Sequence, residues 1–316
     1  MREIYIQCMN QSIIISWVII FIMILRVLMK KMPKWIKPYL WIYVMVRFII
    51  PSSFTNNFSI IPSANSFPIS NLYGHRIKVS SGVKLIDRFF NDNIFGNYFT
   101  GVSVDYRATA DFFALMSMLW LTVIGIFIGL FIWHNITLHL RLKEAVRISK
   151  NVYKSNRIKN SFVFGVICPR IYLQYGLSIK EENYIIEHEK THIKRKDHIL
   201  KIAYYFFLAI NCFNPLVWIS YYMLSKDIEL ACDESIIKNK NVKERKEYAK
   251  VLYLESTGCA DAFLNTSFNS CFLKTRIKNV VNFNQISLLY IGIVVFVCFV
   301  VLVLSIGNPG QNNLFW

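Results

Sequence analysis

Apolar and polar positions divide this chain into long uncharged runs separated by basic or mixed stretches. Residues 12–29 (SIIISWVIIFIMILRVLM) are apolar apart from Arg26 near their end. Residues 39–50 (YLWIYVMVRFII) form a second, shorter run that carries Arg47 and is ended by Pro51. Residues 112–133 and 286–306 hold no charge at all. A hydrocarbon core about 30 Å thick takes roughly 20 residues of apolar helix. The first, third and last runs approach that length. The second is marginal and relies on neighbouring helices. Four transmembrane helices are expected, and a soluble globular reading fails. A fifth run, 202–224 (IAYYFFLAINCFNPLVWISYYML), has the hydropathy of a span but is cut by Asn211, Asn214 and Pro215. Each half is about eleven residues, roughly 16 Å of helix, too short to cross. A hairpin broken at Asn214-Pro215 is expected, dipping into the membrane face or packed on a domain.

Charge sets the orientation. Lys and Arg number 36 against 19 Asp and Glu, a formal net charge of +17. Lys30, Lys31, Lys34 and Lys37 follow the first run, and seven Lys or Arg residues from Arg141 to Lys159 follow the third. Basic loops stay on the cytoplasmic side. The expected order is two N-terminal transmembrane helices with a basic cytoplasmic turn (1–51), an extracellular loop (52–110) and a third transmembrane helix (111–134). A cytoplasmic domain (135–285), a fourth transmembrane helix (286–307) and a short extracellular tail (308–316) follow. Both termini then lie outside. The first run lacks a basic leader and an A-x-A-like site, so it reads as a retained anchor. No zinc finger, helix-turn-helix or RNA-binding signature accompanies the positive charge, so no direct nucleic-acid partner is expected. The seven cysteines are odd in number and scattered, with no C-x-x-C and none in the outer loop, which argues against a disulfide framework.

The chemistry lies in the cytoplasmic domain. Residues 161–174 (SFVFGVICPRIYLQ) are branched and aromatic and read as two strands of a small sheet. Ser178 and Glu181 have capping-box spacing and start a helix expected to run from about Ile179 to Lys201. Its middle carries His188, Glu189 and His192, the H-E-x-x-H pattern. Two imidazoles four residues apart share one helix face and can hold one zinc ion. Glu189 between them lies beside the open position, where it can take a proton from water. The bland alternative is a solvated face in a charged run, since Lys194, Arg195, Lys196 and Asp197 follow directly.

A catalytic zinc takes three protein ligands. Glu229, in the ELACDE run, is the best third candidate, on a helix expected to start at Ser225 as N-cap. Asp233, one turn on, could accept a hydrogen bond from a ligand imidazole. His198 is a rival, but on a continuous helix it is turned about 240° from His192. Cys232 reads as a small buried thiol rather than a ligand. If His188 and Glu229 hold one ion, both lie on one side of the membrane, which the broken hairpin allows and a single span would forbid.

Four segments carry a family resemblance: PRIYL (169–173), HEKTHIKRKDHI (188–199), FNPLVW (213–218) and ELACDE (229–234). With the order of spans, they resemble the BlaR/MecR family of integral-membrane zinc metallopeptidases. The resemblance covers nearly the whole chain, is most specific over 162–234 and is weak over 52–110. It implies a protein of the bacterial plasma membrane with a cytoplasmic, gluzincin-like α+β zinc peptidase domain. By analogy His188, His192 and Glu229 bind Zn2+, Glu189 is the general base and Asp233 supports a ligand. It also implies signalling in β-lactam resistance, with a protein substrate and a BlaI/MecI-type winged-helix repressor as partner, and it allows a homodimer. Members usually carry a penicillin-binding sensor after the last span. This chain stops at Trp316 and shows no S-x-x-K motif there. A signal entering through the outer loop or a partner is expected instead, unless the chain is a truncated relative. The leading reading is a membrane zinc endopeptidase. The alternative is a non-catalytic transducer whose zinc is structural and whose domain binds a repressor. Glu189 separates them, since a structural site has no use for a base.

Overall fold

The computed structural model describes residues 1–29, 32–50, 55–56, 67, 79, 84–95, 106–257, 266–285, 287–306 and 308–309. The described chain is mostly helical, with one four-stranded sheet. Helices α1 (Arg2–Leu28) and α2 (Lys37–Ile49) come first. After the short α3 (Lys84–Arg88), α4 runs from Tyr106 to Leu142. The last helix, α10, covers Leu288–Ile306. Among the described residues three helices are long and apolar enough to cross a membrane: Arg2–Leu28, Ala110–Leu142 and Leu288–Ser305.

The expected second span, α2, has 13 residues, about 20 Å, and falls short by length. Pro38 at its start and Pro51 just after its end confine it. It is embedded in its neighbours instead. Tyr43 donates from its hydroxyl to the Leu302 carbonyl at 2.8 Å, and Arg47, fully buried, donates from Nε to the Ser305 carbonyl at 2.9 Å. These bonds give the buried arginine a partner on α10. Most of the expected outer loop and tail lies outside the described residues. Two fragments of them meet: β1 (Thr55–Asn56) pairs in parallel with β6 (Asn308–Pro309).

The domain after α4 opens with a sheet of β2 (Val146–Ser149), β3 (Val152–Ser155), β4 (Phe162–Phe164) and β5 (Arg170–Gln174). Their order is β2-β3-β5-β4, with β3 parallel to β5 and β4 on the edge. The two expected strands are β4 and β5. The other two come from the basic stretch, where surface lysines and arginines mask a short hairpin. Gly165 turns the chain after β4 at φ +109, and a Cβ there would stand 2.8 Å from the Cys168 carbonyl oxygen.

Helix α5 (Ile179–Arg195) starts at the capping box read from the sequence: Ser178 accepts from the Glu181 amide, and Glu181 accepts from the Ser178 amide. It does not continue to Lys201. Lys196 adopts a left-handed conformation, φ 58 and ψ 30, and a new helix, α6 (Asp197–Ile210), sets off from it. Within the run 202–224 one helix ends at Ile210 and the next starts at Pro215. Asn214 caps α7 (Pro215–Ile237) by accepting from the Leu216 amide at 3.0 Å. Ser225 is not a helix start. It lies within α7, where its hydroxyl donates to the Tyr221 carbonyl one turn back, because no glycine or proline interrupts the helix there. The hairpin packs against α1, α2 and α10 in one apolar cluster that includes Ile19, Trp41, Tyr204, Leu224 and Val294. Helices α8 (Val242–Thr257) and α9 (Thr266–Val281) close the opposite side through Cys232, Ile237, Tyr248, Leu252 and Val280.

Candidate metal centre

The rigid middle of α5 presents His188 and His192 to the same point, both buried, with their Nε2 atoms 3.1 Å apart. α7 crosses beside them and brings Glu229 Oε2 to 3.4 Å from the first Nε2 and 3.6 Å from the second. Tetrahedral coordination with bonds of about 2.0–2.1 Å places ligand atoms roughly 3.3 Å from each other. The triangle formed by the two imidazoles and the carboxylate therefore fits a zinc-sized ion. A second donor set is also present: His188, His192 and Cys232 have ligand atoms within 4.8 Å of one another. In that set Cys232 Sγ lies 3.5 Å from His188 Nδ1.

The other ring nitrogens are engaged. His192 Nδ1 lies 2.8 Å from Asp197 Oδ2, and Arg195 Nε donates to the same carboxylate at 3.1 Å. His188 Nδ1 lies 2.8 Å from the Tyr248 hydroxyl, which donates to Asp233 Oδ1 at 2.8 Å. Asp233 therefore does not meet the imidazole directly. Its Oδ1 stands 3.7 Å from His188 Nδ1, with Tyr248 as the relay. Arg276 grips Asp233 with two bonds of 2.8 Å. When both Nδ1 atoms donate to these partners, both Nε2 lone pairs can face an ion, the usual arrangement for histidine ligands.

Glu229 is balanced by cations. Lys201 Nζ donates to Oε1 at 3.1 Å, and Arg276 Nη1 lies 3.5 Å from Oε2. Burial alone would raise its proton affinity, but Lys201 and the imidazoles prevail and hold the carboxyl well below its ordinary range. Glu189 differs. Burial dominates there and pushes its carboxyl above the ordinary range. Burial disfavours charge on His188 too, yet Cys232 and Glu229 outweigh it and raise the ring. Two Nε2 atoms 3.1 Å apart leave room for one proton between them, not two.

A cavity of about 400 Å³ opens onto the centre, lined by Glu189, His198, Glu229, Glu255 and Arg276 among others. Phe162 and Val163 of the edge strand β4 form one wall. His198 was set aside on the premise of one continuous helix. The break at Lys196 removes that premise and turns His198 toward the cavity, where its Nδ1 is buried with no hydrogen-bond partner among the described residues. The structure thus brings all five expected residues together and adds Asp197, Lys201, Tyr248 and Arg276.

A family model described as BlaR1 peptidase M56 matches residues 6–280. The chain belongs to the BlaR1 peptidase M56 family. M56 relatives include the regulatory protein BlaR1 of Bacillus licheniformis, 31% identical over 156 residues that cover 46% of this chain and 26% of that protein. The methicillin resistance protein mecR1 of Staphylococcus aureus is 37% identical over 112 residues, 34% of this chain and 18% of that protein. The regulatory protein BlaR1 of the same species is 30% identical over 156 residues, again 46% of this chain and 26% of the relative. The aligned segments thus span about a quarter or less of these relatives' length. Membership of M56 makes this a BlaR/MecR-type protein from a metallopeptidase family. With its three long apolar helices, it is a bacterial membrane protein.

Proposed function

We propose that this chain is a membrane zinc endopeptidase whose centre is His188, His192 and Glu229, with Glu189 as general base. The observation that carries the reading is the triangle of two Nε2 atoms and one carboxylate oxygen, 3.1 to 3.6 Å on a side, beside an open cavity that Glu189 also lines. A zinc ion held there would supply Lewis acidity, polarising a peptide carbonyl and making water acidic near neutral pH. Glu189 takes the proton from the attacking water and returns it to the departing amine. Asp197 and the Tyr248–Asp233 relay hold the imidazoles in one tautomer, while Lys201 and Arg276 fix Glu229. The edge strand β4 along the cavity wall suits an extended peptide added as a further strand.

The expected topology agrees with this reading. The backbone amide of Lys34, in the basic turn, donates to Glu234 of α7 at 2.8 Å, which supports a shared side for turn and domain, with charge favouring the cytoplasm. α2 then serves as a short fourth crossing, supported by α10. Because relatives are named as regulatory and resistance proteins, we place the cleavage in signalling. The substrate would be a cytoplasmic or juxtamembrane protein, and loss of a BlaI/MecI-type repressor the output. The alternative, a non-catalytic transducer with structural zinc, leaves both the open cavity and the buried Glu189 without a purpose.

One experiment tests both roles. Purified full-length variants are assayed for bound zinc and for cleavage of a repressor encoded beside this chain. Glu189→Gln should keep zinc and lose cleavage by at least about 100-fold. Glu229→Ala should lose most zinc, whereas Cys232→Ala and His198→Ala should keep most of it. Normal cleavage by Glu189→Gln would defeat the enzymatic reading, and a larger zinc loss in Cys232→Ala would move the third ligand to the thiol.

A further inference from the structure

α7 carries more than Glu229. Two residues earlier, Asp227 is fully buried. At 100° per residue the two side chains leave the helix on nearly opposite faces, Glu229 toward the histidines and Asp227 toward α1 and α2. Three donors converge on Asp227. Arg26 of α1 forms a two-pronged ion pair with it, Nη2 reaching Oδ1 at 3.0 Å and Nη1 bonding Oδ2. Trp41 of α2 donates from Nε1 to Oδ2 at 2.8 Å, and the Arg26 guanidinium lies over the Trp41 ring at 5.4 Å. The one charge in the first apolar run thus has its partner on the helix that bears Glu229.

The same helix is tied at both ends. Asn214 at its start donates to the Ser12 carbonyl at 3.0 Å and the Ser16 hydroxyl at 2.8 Å, both on α1. Toward its end Glu234 accepts from the Lys34 amide. Of these ties to α1 and the turn before α2, that of Asp227 lies nearest to Glu229 along the helix, while Asp233 one turn further on is held from the other side by Tyr248 and Arg276. Turning α7 by about 10° carries a side-chain tip 5–6 Å from the axis through about 1 Å. A metal–ligand distance tolerates roughly 0.2 Å.

We propose that Asp227 is a positioning residue for Glu229, through which α1 and α2 set the rotation of α7 and so the grip of the metal centre. A displacement of the N-terminal helix pair would then reach the site along α7, leaving the histidine helix in place. The proposal rests on the metal-site reading above. Its test needs no substrate: full-length protein in detergent is titrated with Co2+, and the visible absorption reports both affinity and geometry. Asp227→Asn, which keeps the shape and removes the charge, should weaken cobalt binding about 10-fold or more and alter the visible band. Arg26→Leu combined with Asp227→Leu leaves no buried charge unpaired and so is expected to fold. It should show the same loss. Wild-type affinity and spectrum in the double variant would reduce the clamp to ordinary packing and overturn the proposal alone. Failure of the unaltered chain to take up cobalt would overturn the metal reading, and this proposal with it.

Discussion

Tyr248 stands between two groups that local spacing would pair directly. Its hydroxyl has one proton, which goes to Asp233, so it must receive the Nδ1 proton of His188. Tyr248→Phe removes that acceptor without changing packing. Metal affinity should fall about 10- to 100-fold, read by competition with a chromophoric chelator, while the helical content of the protein stays unchanged. Unaltered affinity would show that the Asp233 carboxylate, 3.7 Å away, suffices by itself. His188, Glu189 and His192 were legible because their geometry is local to one helix turn. Tyr248 and Arg276 were not. They reach the centre from 60 and 47 positions beyond His188 and Glu229 respectively, on helices whose own patterns show only charge and amphipathicity. Asp197 was visible as a residue but hidden in role, because a continuous helix would have pointed it away from His192.

The break at Lys196 is therefore the element-level fact that matters most. A left-handed lysine ends α5, starts α6, and in doing so swings Asp197 back onto His192 and His198 toward the cavity. No glycine or asparagine marks the place, so sequence pattern passes through it. A β-branched residue tolerates this backbone poorly. Lys196→Val should lower stability by about 1–2 kcal/mol and reduce zinc occupancy, whereas Lys196→Gly should keep both, as followed by thermal unfolding with metal analysis. Equal behaviour of the two variants would mean the turn is not what holds Asp197. The α6–α7 hairpin was easier to read, because Asn214 and Pro215 are strong helix-start signals and each half was too short to span. The β2–β3 hairpin was hidden by its charge.

At the scale of the whole molecule, hydropathy picks out the three helices long and apolar enough to cross a membrane, and charge supplies an expected orientation for them. It could not decide the status of α2, whose place depends on bonds to α10 rather than on its own length. The expected topology has a direct check. With Cys168 replaced to lower the background, an impermeant thiol reagent should label Asp92→Cys on intact cells. It should label Lys180→Cys only after the membrane is opened. Labelling of Lys180→Cys from outside would invert the arrangement and separate the peptidase domain from any cytoplasmic substrate. The pairing of Thr55 with Asn308 adds one last consequence. A strand that follows α2 in sequence and a strand that follows α10 thus lie side by side. Under the proposal above, a tug on either strand would load both helices at once, and α2 would pass it, through Trp41 and Asp227, to the helix that carries Glu229.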